Sequence, residues 1–167
     1  MLDIILNFII KPSLMLLPFD MQSQEAEALL LSIGQQESRF EHRRQIIRTS
    51  SGQLKMLGPA RGWWQFEKIG LQEVITNKLT KSHFENICNI LKYPKDFDFV
   101  FEGITHNDML ACCVARLLLW PDTAPLPKYE DGPEAAWQYY IRRWRPGKPH
   151  RNTWDDFWNK SWDIVKS

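Results

Sequence analysis

Apolar positions along the chain recur mostly at three-and-four spacing, the period of an amphipathic helix, and capping and stop signals punctuate them. Asp20 or Ser23 is placed to cap a first helix whose apolar stripe is Ala26, Leu29, Leu30, Ile33 and Phe40, with an end between Phe40 and Arg44. Ile46-Ile47-Arg48 and Leu54-Lys55-Met56-Leu57 flank the turn Thr49-Ser50-Ser51-Gly52, which predicts a short β-hairpin and the only sheet. Leu71, Val74, Ile75 and Leu79 predict a further helix. Ser82-His83-Phe84-Glu85 reads as a capping box that opens another, with Phe84, Ile87, Cys88 and Leu91 on one side and Tyr93-Pro94 as its stop. A second box, Thr105-His106-Asn107-Asp108, precedes Met109 to Trp120, a run apolar nearly all round, as in a helix at the centre of a domain. Pro121, Pro125 and Pro127 impose a loop, and Pro133 opens a helix through Trp144. Thr153-Trp154-Asp155-Asp156 caps a last helix with the stripe Trp154, Phe157, Trp158, Ser161, Trp162 and Val165. The expected fold class is mainly α: one domain with at most a small β-hairpin.

Residues 1–19 form an apolar arm ahead of a domain spanning residues 20–167, packed on that domain or on a neighbouring subunit. The arm is broken by Lys11-Pro12 and Pro18, so no apolar run reaches the length of about 20 residues that a membrane span needs. It has no basic leading region and no small-residue cleavage site, which predicts synthesis in the cytoplasm without a signal peptide. A length of 167 residues supports a real core, and a net charge of +1 supplies no global field toward nucleic acid or an anionic bilayer. Cys88, Cys112 and Cys113 are an odd set with a vicinal pair, which argues for free thiols and a reducing compartment. The 8 tryptophans are surplus aromatic surface, suited to core mass or to stacking on sugar rings.

Among polar residues, Glu37 stands out because it shares the stripe of Leu30, Ile33 and Phe40. Burial there disfavours the charged carboxylate and raises its pKa, the condition a general acid needs at neutral pH. The alternative is a glutamate at the stripe's edge, turned to solvent or paired with Arg61. Downstream, Gly58-Pro59-Ala60-Arg61-Gly62-Trp63-Trp64-Gln65-Phe66 specifies a tight, aromatic-rich loop suited to a cleft wall.

Glu37-Ser38-Arg39-Phe40 followed by Gly62-Trp63-Trp64-Gln65 resembles the Glu-Ser-x-Phe and Gly-Leu-Met-Gln signatures of the soluble lytic transglycosylase and goose-type lysozyme superfamily, to which phage cell-wall enzymes belong. The resemblance covers Leu29 to Phe66 well and the remainder loosely. It implies a lysozyme-like fold, Glu37 as the single catalytic acid/base, Ser38 as its support and Gln65 as a lining of the sugar cleft. Trp63 and Trp64 are then expected to stack on sugars, with Phe66 beside them. The family's Ala-rich motif with a cleft tyrosine has one counterpart, Ala135-Ala136-Trp137-Gln138-Tyr139-Tyr140, without the Asn-Ala-Gly continuation. Tyr139 and Tyr140 are its candidate tyrosines.

The resemblance implies cleavage of the MurNAc-β-1,4-GlcNAc bond of peptidoglycan, by a lytic transglycosylase or, if water is positioned, a hydrolytic lysozyme, with glycan strands as partner and no cofactor or metal. Glu41, Glu67, Asp96, Asp98 and Asp108 read as solvated surface, and a single carboxylate suits a lyase, since two-carboxylate glycosidases place the pair at fixed separations. Arg39 or Arg44 is placed to meet stem-peptide carboxylates, or is a solvated helix end. Arg142, Arg143, Arg145, Lys148, His150 and Arg151, interleaved with Trp144 and Trp154, could grip an anionic polymer; the structural alternative pairs them with Asp155 or Asp156. Nucleic acid is not the expected partner, and His83, Cys88, His106, Cys112 and Cys113 lack zinc spacing. The competing expectation is a non-catalytic virion component that keeps the fold and docks on other subunits through its N-terminal arm. Without an export signal, the enzyme is expected to reach the wall by lysis, through a pore or inside a particle.

Overall fold

The structure is a computed structural model describing residues 1–167, and the chain is mainly helical with one small antiparallel sheet. Helix α1 (Leu2–Ile5), a π-helical segment (Leu6–Ile10) and α2 (Lys11–Met15) run on without leaving helical backbone geometry. Ile5, Leu6, Ile10, Leu14 and Leu17 are buried in the same hydrophobic cluster as the rest of the chain. The expected arm at residues 1–19 is therefore part of the core, because its inner face carries an apolar stripe that the following helices cover. Its outer face leaves Met1, Ile4, Phe8, Met15 and Phe19 exposed.

Helix α3 (Gln24–Ser38) starts where Ser23 Oγ accepts the Ala26 N–H at 3.2 Å. The later helices are α4 (Lys68–Thr76), α5 (Lys81–Leu91), α6 (Phe97–His106), α7 (Asp108–Leu119), α8 (Gly132–Trp144) and α9 (Arg151–Lys166). Every residue of α7 from Leu110 to Leu119 is buried, and α2, α4, α5, α6 and α8 pack around it, the arrangement its all-round apolar pattern predicts. α3 lies along α9 through Trp154, Trp158 and Trp162 and a buried polar seam, in which Ser161 Oγ meets Ser32 Oγ at 3.0 Å and Gln35 Nε2 at 2.9 Å. Strands β1 (Ile47–Arg48) and β2 (Leu54–Lys55) pair with Ile47 opposite Lys55, the hairpin expected at the Thr49–Gly52 turn. No helix is long and apolar enough to cross a membrane.

Several element ends differ from expectation. α3 stops at Ser38, earlier than its apolar spacing suggests, because Arg39 and Phe40 both adopt left-handed backbone. α4 ends at Thr76, so Leu79 lies outside it and is exposed. α5 begins one residue before the Ser82 capping box, and the hydroxyl of its N-cap Thr80 donates instead to the Val74 carbonyl at 2.7 Å. α6 was not expected: Asp96 caps it at the Phe99 N–H (2.9 Å), and the period-two spacing of Phe97, Phe99 and Phe101 conceals its helical face. Asn107 caps α7 at the Leu110 N–H (3.0 Å), whereas Thr105 is buried within α6. Thr153 lies inside α9, whose N-cap is His150.

Candidate active site

Glu37 sits one residue before the end of α3, where the chain reverses sharply. Arg39 (φ 55°) and Phe40 (φ 58°) occupy the left-handed region in succession, a conformation that bulky residues hold only when their surroundings enforce it. Two contacts enforce it here. The Phe40 ring fills the notch above Gly34, where an added Cβ would lie 2.2 Å from the ring, and it meets the Trp63 and Trp64 rings edge-on at 5.5 and 5.8 Å. Ser38 Oγ donates to the Trp63 carbonyl at 2.6 Å and accepts the Phe40 N–H at 3.1 Å, tying the helix end to the loop opposite. Ser38 and Phe40 thus fix the turn that presents Glu37.

The loop opposite is equally constrained. Arg61 and Phe66 exchange both backbone hydrogen bonds, at 2.9 and 2.7 Å, and the Gly62 N–H donates to the Arg43 carbonyl at 2.8 Å. Gly62 (φ 69°) approaches α6 so closely that a Cβ would fall 2.7 Å from the Ile104 carbonyl oxygen. Gln65 (φ 48°) turns its amide back onto the Gly62 carbonyl at 2.8 Å while lining the cleft.

Between these walls runs a groove of about 520 Å³, continuous with lobes of about 270 and 480 Å³, and Glu37 is the one residue common to the linings of all three. Ser38, Gln65 and Tyr140 line the main groove with it, together with His42 and Gln45 from the hairpin side and Lys148 and His150 from the α8–α9 connection. The Tyr140 hydroxyl donates to Glu37 Oε1 at 2.7 Å. Tyr140 is buried and stacks on Trp154 at 4.8 Å, so the hydroxyl is held in place by the α8–α9 packing. Burial pushes the Glu37 carboxyl up to about 7; the Tyr140 hydrogen bond opposes this and the Glu67 charge adds to it. Burial first, then the adjacent glutamate, drives the Tyr140 hydroxyl far above its usual range, so it remains a donor. A carboxyl poised near neutrality can both give and take a proton at physiological pH.

Arg61, the alternative partner of Glu37, turns away: it pairs with Glu102 at 3.3 Å and donates to the Gly58 and Pro59 carbonyls. Trp64 is 0% exposed, with its indole N–H on the Leu30 carbonyl at 2.9 Å, so the expectation that it stacks on a sugar is corrected: this indole is core. Trp63 is half-buried against Phe40 and under the Arg43 guanidinium (4.2 Å), outside the lining of the groove. Phe66 is buried against Trp144 and only backs the smallest lobe. Tyr139 faces away, its hydroxyl on the Leu119 carbonyl at 3.0 Å, because adjacent positions on α8 point to different sides.

The arginines of the Arg142–Arg151 run are spent on ion pairs, Arg142 with Asp122, Arg143 and Arg145 with Glu73, and Arg151 with Glu134 and Asp155, whereas Lys148 and His150 of the same run line the main groove. Arg44 lines the main groove and Arg39 an adjoining lobe. Of the carboxylates read as surface, Glu67 lines the main groove and the smallest lobe beside Glu37, while Asp108 pairs with Arg43 and Asp98 with Lys68. Glu67 follows Gln65 by two residues, the one sequence signal that could have placed it in the cleft. Cys88, Cys112 and Cys113 are buried free thiols. No group of three or more His, Cys, Asp or Glu side chains is arranged to hold a metal ion. Comparison with protein-family models, curated proteins and solved structures gives no match.

Proposed function

We propose that this groove binds the glycan strands of peptidoglycan and that Glu37 cleaves the MurNAc-β-1,4-GlcNAc bond as a lytic transglycosylase. The observation that carries the reading is a carboxyl at the junction of the groove and its two lobes, pushed up to about 7 by burial and held by a tyrosine hydroxyl. The largely polar lining suits a hydroxyl-rich polymer better than an apolar ligand.

In this mechanism protonated Glu37 gives its proton to the bridging oxygen, and the bond from that oxygen to C1 of the muramic ring breaks. The electron pair leaves with the GlcNAc hydroxyl, and positive charge develops at C1, favoured by the Glu67 carboxylate beside the groove. Ionised Glu37 then takes the proton of the same sugar's C6 hydroxyl as its oxygen bonds C1. The product is a 1,6-anhydro sugar, and Glu37 returns to its acid form without consuming water. Tyr140 orients the carboxyl and stabilises it while it is charged.

The test is mass spectrometry of purified sacculi digested by the protein. Anhydro-muropeptides released by wild type and absent with Glu37→Gln are expected; full release by folded Glu37→Gln would remove Glu37 from the chemistry. Products with reducing ends would replace the lyase by a hydrolytic muramidase at the same site. A second reading, a virion component that docks on other subunits without cleaving, is favoured by one observation, the exposed apolar side chains Met1, Ile4, Phe8, Met15 and Phe19 of the N-terminal segment. No product from any sacculus would favour it.

A further inference from the structure

At the opposite end of α3 from Glu37, about 18 Å along the helix axis at 1.5 Å per residue, lies a second cavity that shares no lining residue with the groove. It measures about 720 Å³ and opens between the start of α3, the end of α7 and the proline-rich 121–127 loop. Arg116 of α7 lines it. This residue is only 3% exposed, yet it takes part in none of the chain's ion pairs. Its Nε–H donates to the Met21 carbonyl at 2.8 Å, and its Nη1 is buried with no hydrogen-bond partner. Desolvation lowers its pKa to about 10, which leaves it cationic at pH 7. A buried guanidinium with an orphaned donor is costly and calls for an acceptor.

The other groups around it define what that acceptor belongs to. The guanidinium lies 5.1 Å from the Trp120 ring, and Leu79, Leu126 and Pro125 continue an apolar wall. Lys128 adds positive charge at the rim. Asp122 is already neutralised by Arg142 and accepts the Ala124 N–H, so it does not compete for Arg116. Asp20 and Glu25 also line the cavity, with no hydrogen bond to Arg116. We propose that this cavity is a binding site for an organic carboxylate with an apolar body, the carboxylate seated on Arg116 and the body against Trp120 and Leu126. Planar guanidinium donors match a carboxylate's two oxygens, and the indole supplies the flat apolar contact. The site is independent of any activity at Glu37.

The experiment is an NMR titration of the full chain with 3-phenylpropionate and, separately, 3-phenylpropionamide. The expected result is saturable shifts at the Trp120 indole N–H and at residues 121–126, unchanged signals at Glu37 and Gln65, and binding weaker by about tenfold or more for the amide, which lacks the charge. Arg116→Gln, if folded, is expected to lose the response. Should that variant unfold, Leu126→Trp, which fills the cavity from its rim, carries the same test and is expected to abolish binding. Asp20→Asn, by removing a carboxylate that lines the cavity and whose charge acts on Arg116, is expected to tighten it. No saturable shift, equal affinity for the amide, or wild-type binding by folded Arg116→Gln or by Leu126→Trp would overturn the site.

Discussion

Glu37 trades stability for a usable proton. Its carboxyl titrates near 7 in the fold and near the ordinary carboxyl value of 4.5 when solvated, so the native chain binds the extra proton between those values. The contribution of Glu37 to stability is therefore fully present below about pH 4.5, falls as pH rises, and is lost above about 7, with a total cost on the order of 3 kcal/mol. Glu37→Gln, uncharged at every pH, is expected to unfold at higher temperature than wild type at pH 8–9 and to match it near pH 4; thermal unfolding across pH checks this, and equal behaviour at both ends would contradict it. Tyr140 acts in the opposite sense, because its hydrogen bond favours the charged carboxylate. Tyr140→Phe is expected to raise the Glu37 pKa, moving the alkaline limb of the pH–activity profile upward while lowering kcat. An unmoved limb would mean that Tyr140 does not position the acid.

At the level of elements, the end of α3 and the Gly58–Phe66 loop are one device. Gly34, Ser38, Phe40, Trp63 and Trp64 lock two consecutive left-handed residues so that Glu37 projects into the groove. Gly34→Ala forces a methyl into the Phe40 ring and is expected to cost about 1–3 kcal/mol, with a loss of activity larger than the stability change alone explains. Denaturant unfolding compared with sacculus digestion measures both, and retained activity would separate the turn from the function. Much of this was legible in the sequence: the stripe that carries Glu37, the hairpin, the buried α7 and the tryptophan face of α9 all follow from spacing. The turn after Ser38 was not, because two successive left-handed non-glycine residues arise from tertiary packing and leave no local signal. α6 escaped for a related reason, since its three phenylalanines repeat with the period of a strand while its cap, Asp96, is a common loop residue.

Across the whole molecule, the site is assembled from segments that no local pattern brings together. Glu37 comes from α3, Gln65 and Glu67 from the loop, Tyr140 from α8 and His150 from the start of α9, all held on a core to which the N-terminal helices contribute Leu6, Ile10 and Leu14. That long-range assembly explains why Glu67 and Tyr140 could be named as candidates or surface but not placed from sequence, and why Trp64, read as a sugar platform, belongs to the core. It also means that the acidity of Glu37 is a property of the folded chain alone.

The most direct test is a ¹³C NMR titration of the Glu37 side-chain carboxyl, assigned by its disappearance in Glu37→Gln. In the native chain the carboxyl is expected to titrate at about 7 and, once the chain is unfolded in urea, to return to about 4.5. A native midpoint at the ordinary carboxyl value would contradict the account, because Glu37 would then hold no proton to give at neutral pH.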